Sequence, residues 1–390
     1  MSQPDSNPRP PTGNDVHPVI VYSNSGSEGP VPHSTRPGDA PALTPRESRL
    51  KSIGCFLLLA VAVQVAFGHK IKLSQWELAA TFKADGTGSG NAAVLEGVAW
   101  LNGRLNIPAT GKNPAEINER NWDTAYVKDP VTGEDRCYNV FPPLIAMLTV
   151  ALHPIHHDLL GLPEGTWSPW TYVWLVYWPL LLTGYLVFRS RIGDSAWAAL
   201  LTFAWIGGTA VLPNLVAAGT GLLGQLNHVL SQIGLLIFAA EMLGRRRTWP
   251  ALIGLAIATY TRQMTFLFGI GLVWVAWRRG GMKHAALAVA GLGLIAAPLL
   301  WLNHAKFGHA LDFGYQNIYV GHDPGAYVIN RLNEHGTFSH HFIRDNAWFI
   351  FAAPPEVAEF SPVALRVEEE NSFGTSLFIT TPLALLALFA

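Results

Sequence analysis

The chain has 390 residues, of which 49% are hydrophobic and only 14% charged, where soluble domains average about 25% charged. With 14 Trp and 19 Phe, this composition excludes an ordinary soluble protein and a chain disordered over most of its length. Lys and Arg total 26 against 27 Asp and Glu, a net charge of −1, which argues against nucleic acid as a partner. The two cysteines, Cys55 in an apolar run and Cys137 in a polar loop, cannot make a disulfide framework. The pattern is that of an all-α, multi-pass membrane protein.

Residues 1–50 hold ten of the 27 prolines and almost no apolar clusters. Such a stretch buries too little surface to offset its chain entropy and reads as a disordered cytoplasmic tail. It is no signal peptide, because about fifty polar residues precede the first apolar run. That run, Gly54 to Gly68, is short for a span of about 20 residues, with Lys51 and Lys70 placed to snorkel at its ends. Arg46, Arg49 and Lys51 before it favour a cytoplasmic N-terminus. A polar segment follows to about 139. Further apolar runs lie near 168–188, 195–215, 221–243, 249–261, 263–277, 284–302 and 376–390, with a second polar segment at about 303–375.

Three basic turns test the topology: Arg189 with Arg191, then Arg245 to Arg247, then Arg278, Arg279 and Lys283. All three are cytoplasmic, as the positive-inside rule requires, only if Val140 to Leu152 does not cross. That stretch is below spanning length and follows Pro142-Pro143, so it is expected to be an interfacial helix started by the proline pair. About eight transmembrane helices result, with outer-face segments at about 69–167 and 303–375. The sequence stops at Ala390 inside an apolar run, which reads as a C-terminal truncation.

Polar residues inside spans need a partner or a cavity. Thr259-Tyr260-Thr261-Arg262-Gln263 interrupts nearly thirty apolar residues, and Arg262 offers a donor fork suited to phosphate. Snorkelling at a helix turn, or pairing with Glu241, is the plainer alternative. Gln225 and His228 sit three apart on one helix face, able to line the same outer cavity or to serve as interhelical contacts. His153, His156, His157 and Asp158 cluster after the interfacial helix, but Pro154 interrupts the spacing and no third metal ligand is fixed. His340-His341 carries less still. Glu77, Asp85, Glu96, Asp123, Asp129, Glu134 and Asp135 are the acidic candidates in the first outer segment, and any of them also reads as a solvated charge.

Taken in order, several pieces resemble the GT-C superfamily, the membrane glycosyltransferases that use polyprenyl-phosphate sugars and include protein mannosyltransferases and aminoarabinose transferases. "NAAVLEGVAWLNGRLNIP" (91–108) is similar to their first outer amphipathic helix and Gly turn. Asp123-Thr124-Ala125 and Tyr138 to Leu144 resemble the segment leading into their juxtamembrane helix. "GQLNHVLSQIGLL", "GLAIATYTRQMTFLF", "WLNHAKFGHALDFGYQ" and "FGTSLFITTPLALLAL" look like successive later segments, so the resemblance covers about 52–390. It implies an enzyme: an inverting transferase in the cytoplasmic (inner) membrane, moving a sugar from a polyprenyl-phosphate donor to a lipid, glycan or protein acceptor at the outer face. Arg262, His228 and Gln225 would bind the donor phosphate, while Tyr138, Pro142 and Pro143 would border the acceptor entrance. No cofactor is certain; a divalent cation is open, since superfamily members differ. The chain departs from the family at its acidic base, where the family spacing falls on Gly88 and Ser89. Asp85, three residues early, would then act as base; otherwise the base is Asp123, or activity has been lost. The competing expectations are a transporter or flippase of lipid-linked glycans, with the same cavity residues as contacts, and an inactive scaffold.

Overall fold

The computed structural model describes residues 45–71, 82–83, 92–107, 124–128, 133–163, 166–219, 223–244, 247–318, 334–336, 339–351, 357–360 and 365–367. The chain divides into two units, Met1–Arg46 and Glu47–Ala390, and the second carries nearly all of these residues. The tail boundary expected at residue 50 moves, because helix α1 runs Pro45–Ile71. At 27 residues it is longer than the apolar run within it, since the flanking basic residues extend the helix at no cost in desolvation. The rest of the tail lies outside the described residues.

The described residues are mostly helical. After α1 come α2 (Ala92–Leu101), α3 (Leu144–Pro154), α4 (Pro169–Ile192), α5 (Ser195–Gly207), α6 (Val211–Gly219), α7 (Leu226–Leu243), α8 (Thr248–Thr259), α9 (Gly269–Phe307) and α10 (Ile343–Phe351). Four helical stretches are long and apolar enough to cross a membrane, or up to five if α5 and α6, bent by 61°, make one broken span. The apolar faces left uncovered fit that reading. On α1, Leu58 is 70% and Val65 80% exposed, which water would penalise and lipid would not.

Local sequence explains the helix ends. Ser168 precedes Pro169 at the first helical position of α4, where a missing N–H costs nothing. Asp194 starts α5 by accepting from the backbone N–H groups of Ala196 and Trp197. Those N–H groups, that of Trp197 foremost, and Lys51 hold its carboxyl below the usual range. Pro143 sits at the N-cap of α3, as the proline pair predicts, and a π-turn at Ile155–Leu159 follows the helix. The 39 residues of α9 are two helices folded at Gly280 and Gly281, the latter at φ 67°, a left-handed conformation that glycine adopts without steric cost. Gly269 lies against the Leu292 side chain, so the halves pack antiparallel around that turn.

Among the described residues three short strand pairs accompany the helices. β1 (Phe82–Lys83) pairs antiparallel with β4 (Thr166–Trp167). β2 (Thr124–Lys128) and β3 (Asp135–Asn139) form a ladder in which Ala125 faces Tyr138. β5 (Val357–Phe360) pairs with β6 (Leu365–Val367). These strands were not legible from period, and Cys137, expected in a polar loop, is fully buried in β3.

One core joins α1, α2, α3, α4, α5, α6 and the first half of α7, and includes Tyr172, Tyr177, Leu180 and Leu215. A second joins α7, α8 and both halves of α9. The α7–α8 contact is backbone-close: a Cβ at Gly234 would stand 2.5 Å from the Gly254 carbonyl oxygen, and one at Gly254 2.6 Å from that of Gly234. Small residues at this crossing let polar backbone and dispersion contacts hold the pair where no hydrophobic drive between spans exists.

Candidate functional site

The site is built on the turn between α8 and α9. Beyond Thr259 the backbone N–H groups of Tyr260 and Arg262 still donate to Ala256 and Ala258, at 2.8 and 2.7 Å. The Thr261 hydroxyl donates to the Ala258 carbonyl at 2.8 Å. Arg262 then turns extended (φ −148°, ψ 95°) before a 3-10 turn at Gln263–Phe268. Its own carbonyl accepts from the Thr265 N–H at 2.9 Å and hydroxyl at 2.8 Å. Helix on both sides fixes the backbone of this one residue, so its side chain leaves the chain in a set direction.

That side chain meets α7. Nη2 of Arg262 lies 3.0 Å from Nδ1 of His228 and also contacts Nε2 of the same ring. A guanidinium only donates, so the ring nitrogen it meets must accept, and the imidazole is neutral there. Phe141 lies on the other side, with its ring centre 5.9 Å from Cζ, within the range of a cation–π contact. Arg262 therefore does not pair with Glu241, the plainer alternative from sequence. Glu241 holds Arg247 at the other end of α7.

The turn is also tied to α3. The Leu144 N–H donates to the Tyr260 carbonyl at 3.0 Å, which sets the proline-led helix against the arginine turn. Behind Phe141 stands a buried polar network that spacing did not reveal. Asn139 accepts from the Phe141 N–H at 3.1 Å and donates Nδ2 to Oε2 of Glu96 at 2.6 Å. Lys306, at the end of α9, donates to the Asn139 carbonyl at 3.0 Å and forms an ion pair with Glu96. The two charged side chains are 3% and 0% exposed. Glu96 was one acidic candidate among seven; its burial and pairing make it a structural anion rather than a free base. Lys306 follows a long apolar run, so from sequence it reads as an end-of-span lysine; its position in "NHAKFGH" held no signal of burial.

The other predicted residues divide. Gln225 ends the short 3-10 turn that leads into α7. It shares the neighbourhood of His228, but no hydrogen bond joins it to Arg262 or His228. Asn227, quoted in the same motif, is fully buried, and among the described residues neither its amide nitrogen nor its oxygen has a hydrogen-bond partner. Tyr138 packs edge-on against Phe307 with ring centres 5.8 Å apart, and Tyr138, Pro142 and Pro143 are all buried. Asp85 and Asp123, the expected bases, lie outside the described residues, as do Glu77 and Asp129.

The histidine cluster gathers around Trp167 without forming a metal group. His156 is fully buried; Nδ1 meets the Leu152 carbonyl at 2.9 Å and Nε2 the Thr171 hydroxyl at 2.6 Å. Burial pushes its pKa down. His157 places Nδ1 3.0 Å from the Leu162 carbonyl. Among the described residues no three His, Cys, Asp or Glu side chains are disposed to hold a metal ion. Compared with family models, with curated proteins and with solved structures, the chain matches none.

Proposed function

We propose that the protein is an integral membrane glycosyltransferase that moves a sugar from a polyprenyl-phosphate donor to a lipid, glycan or protein acceptor. The observation that carries this reading is the state of Arg262. It is a partly buried guanidinium, fixed by helix on both sides, whose described partners are a neutral imidazole and a phenyl ring. A cation set there without a carboxylate among the described residues suits an incoming phosphate.

In the reaction the acceptor hydroxyl oxygen attacks the anomeric carbon and the bond from that carbon to the phosphate oxygen breaks, with inversion. The hydroxyl proton passes to a carboxylate, Asp85 or otherwise Asp123. The leaving polyprenyl phosphate gains one negative charge as the bond breaks. Arg262 stabilises that growing charge more than the donor's initial charge, which is what accelerates the step. His228 holds the guanidinium, Gln225 supplies a neutral polar contact, and the segment from Tyr138 to Pro143 borders the acceptor path. About eight crossings in the inner membrane, with a cytoplasmic N-terminus, complete the arrangement. Lys51, Arg191 and Arg247 gathering at one helical end supports it.

A second reading, transport of a lipid-linked glycan without chemistry, draws on the 61° break between α5 and α6, because discontinuous helices mark many transporter sites. The test uses the protein in nanodiscs with a panel of polyprenyl-phosphate sugars and a mixed acceptor extract, following release of free polyprenyl phosphate. Release abolished by both Asp85→Asn and Arg262→Ala supports the transferase. Release that survives Asp85→Asn moves the base to Asp123. Donor binding with no release for any donor favours transport or an inactive scaffold.

A further inference from the structure

The C-terminal ends of α4 and α7 enclose a cavity of about 580 Å³ at the end of the molecule away from Arg262. Its lining includes Arg189, Arg191, Arg247 and Glu241. Three guanidinium groups thus face one carboxylate, and each has a distinct occupation. Arg191 donates to the last carbonyls of α7, Leu243 at 3.0 Å and Ala240 at 2.6 Å, and so neutralises that helix end. Arg247 is committed to Glu241. Arg189 has no ion-pair partner among the described residues.

The face leading to Arg189 is apolar. Leu182, Leu186 and Arg189 follow one another along the same side of α4, and the two leucines are 46% and 49% exposed. A cation beside a cavity at a helix end, approached by an exposed aliphatic strip, is complementary to an amphiphile whose phosphate enters the cavity and whose chains lie on the strip. The cavity volume falls within the usual range of small-molecule sites, about 300–1,000 Å³. Basic recesses between spans are where acidic headgroups bind. We infer that this cavity is a binding site for the phosphate headgroup of an anionic membrane phospholipid, with Arg189 as its main contact. The inference does not depend on the transferase reading.

The full chain in detergent, titrated with short-chain phosphatidylglycerol and followed by native mass spectrometry, tests it. Phosphatidylglycerol binds about tenfold tighter than phosphatidylcholine of equal chain length, and Arg189→Gln removes about fivefold of its affinity. Arg189→Lys keeps most of it, and Arg278→Gln, which removes a charge from α9 outside the cavity, changes nothing. Equal affinity for the two lipids overturns the site, as does an equal loss in Arg278→Gln, which makes the attraction a diffuse surface charge. Free glycerol 3-phosphate binding as tightly as the lipid also overturns it, by making this a soluble-phosphate site.

Discussion

The two ends of α7 use the same residue type for different ends. His228 and Glu241 are separated by 13 residues in one helix, about 20 Å at 1.5 Å per residue. At the Glu241 end Arg247 is bound by a carboxylate through its side chain and its own N–H, at 3.2 Å for the latter. That arginine is charge-balanced and closes the α7–α8 connection. At the His228 end Arg262 is held by its backbone, and among the described residues its side chain meets only neutral groups. Position is fixed at both ends; charge is satisfied at one. Among the described residues the two arginines thus differ in what balances them, a difference invisible in a count of arginines.

The sharpest way to break the comparison lies behind the site. Lys306 and Glu96 form the balanced version carried to full burial, and removing one partner strands the other. Lys306→Met is expected to destabilise the protein by about 3–5 kcal/mol, read as a fall in melting temperature in detergent. Lys306→Met combined with Glu96→Gln should recover much of that loss, because the buried charge disappears with its partner. A single variant that melts like the wild type would show the pair to be dispensable, and with it the support under Asn139 and Phe141.

Next come the two arginines themselves. On the proposed transferase reading, Arg262→Ala is expected to lower polyprenyl-phosphate release by about 10²–10³-fold, the usual effect of losing one donor to a developing oxyanion, with little change in melting. Arg247→Ala is expected to do the reverse: release per folded molecule holds while melting falls, since Glu241 loses its contacts with the Arg247 side chain. If both variants lose release equally, the ends of α7 are not specialised.

Much of this arrangement was legible before the fold. The basic clusters marked the turns, including the reversal at Gly280–Gly281, because charge at span ends is dictated by the membrane rather than by tertiary contacts. The helix after Pro143 was legible for a similar reason: a proline pair determines where a helix begins. Arg262 and His228 announced themselves as polar interruptions of apolar runs. The Glu96–Lys306 pair did not, because 210 residues separate the partners and each alone looks like an ordinary charged residue at the edge of an apolar segment. The β2–β3 ladder was missed too, since five-residue strands between helices carry too little alternation to read. Tyr138 and its prolines were legible as a helix entry, but their burial depended on packing partners such as Phe307 that lie far along the chain.

A smaller effect is expected midway between the two ends, at the α7–α8 crossing. Gly254→Ala places a Cβ 2.6 Å from the Gly234 carbonyl oxygen and 2.8 Å from the Phe238 nitrogen. Neither backbone atom can yield without moving a helix, so overpacking of about 1–3 kcal/mol follows. The crossing also sets how α8 presents Arg262 to His228. Release should therefore fall along with melting in this variant, unlike Arg247→Ala, where the two separate. Unchanged release with lowered melting would mean that the Arg262 turn is positioned by α3 and the Tyr260 carbonyl instead.

The smallest effect concerns a buried imidazole, His156. His156, like His228, works as a neutral ring, but among a carbonyl and a hydroxyl rather than beside a cation. Burial is the main cause of its lowered pKa, with the backbone contact at Leu152 opposing. The folded protein therefore takes up its proton at lower pH than the unfolded chain, whose histidine titrates near 6.5. As pH falls below that value the unfolded state binds the extra proton first, so stability declines, and the decline stops only once the folded ring is protonated as well. Melting temperature measured from pH 8 to pH 5 should fall over the acid part of that range, and His156→Gln should flatten the fall while lowering the plateau at neutral pH. A variant with the same acid slope as the wild type would assign the titration to other groups, and would leave His156 a packing residue beneath Trp167.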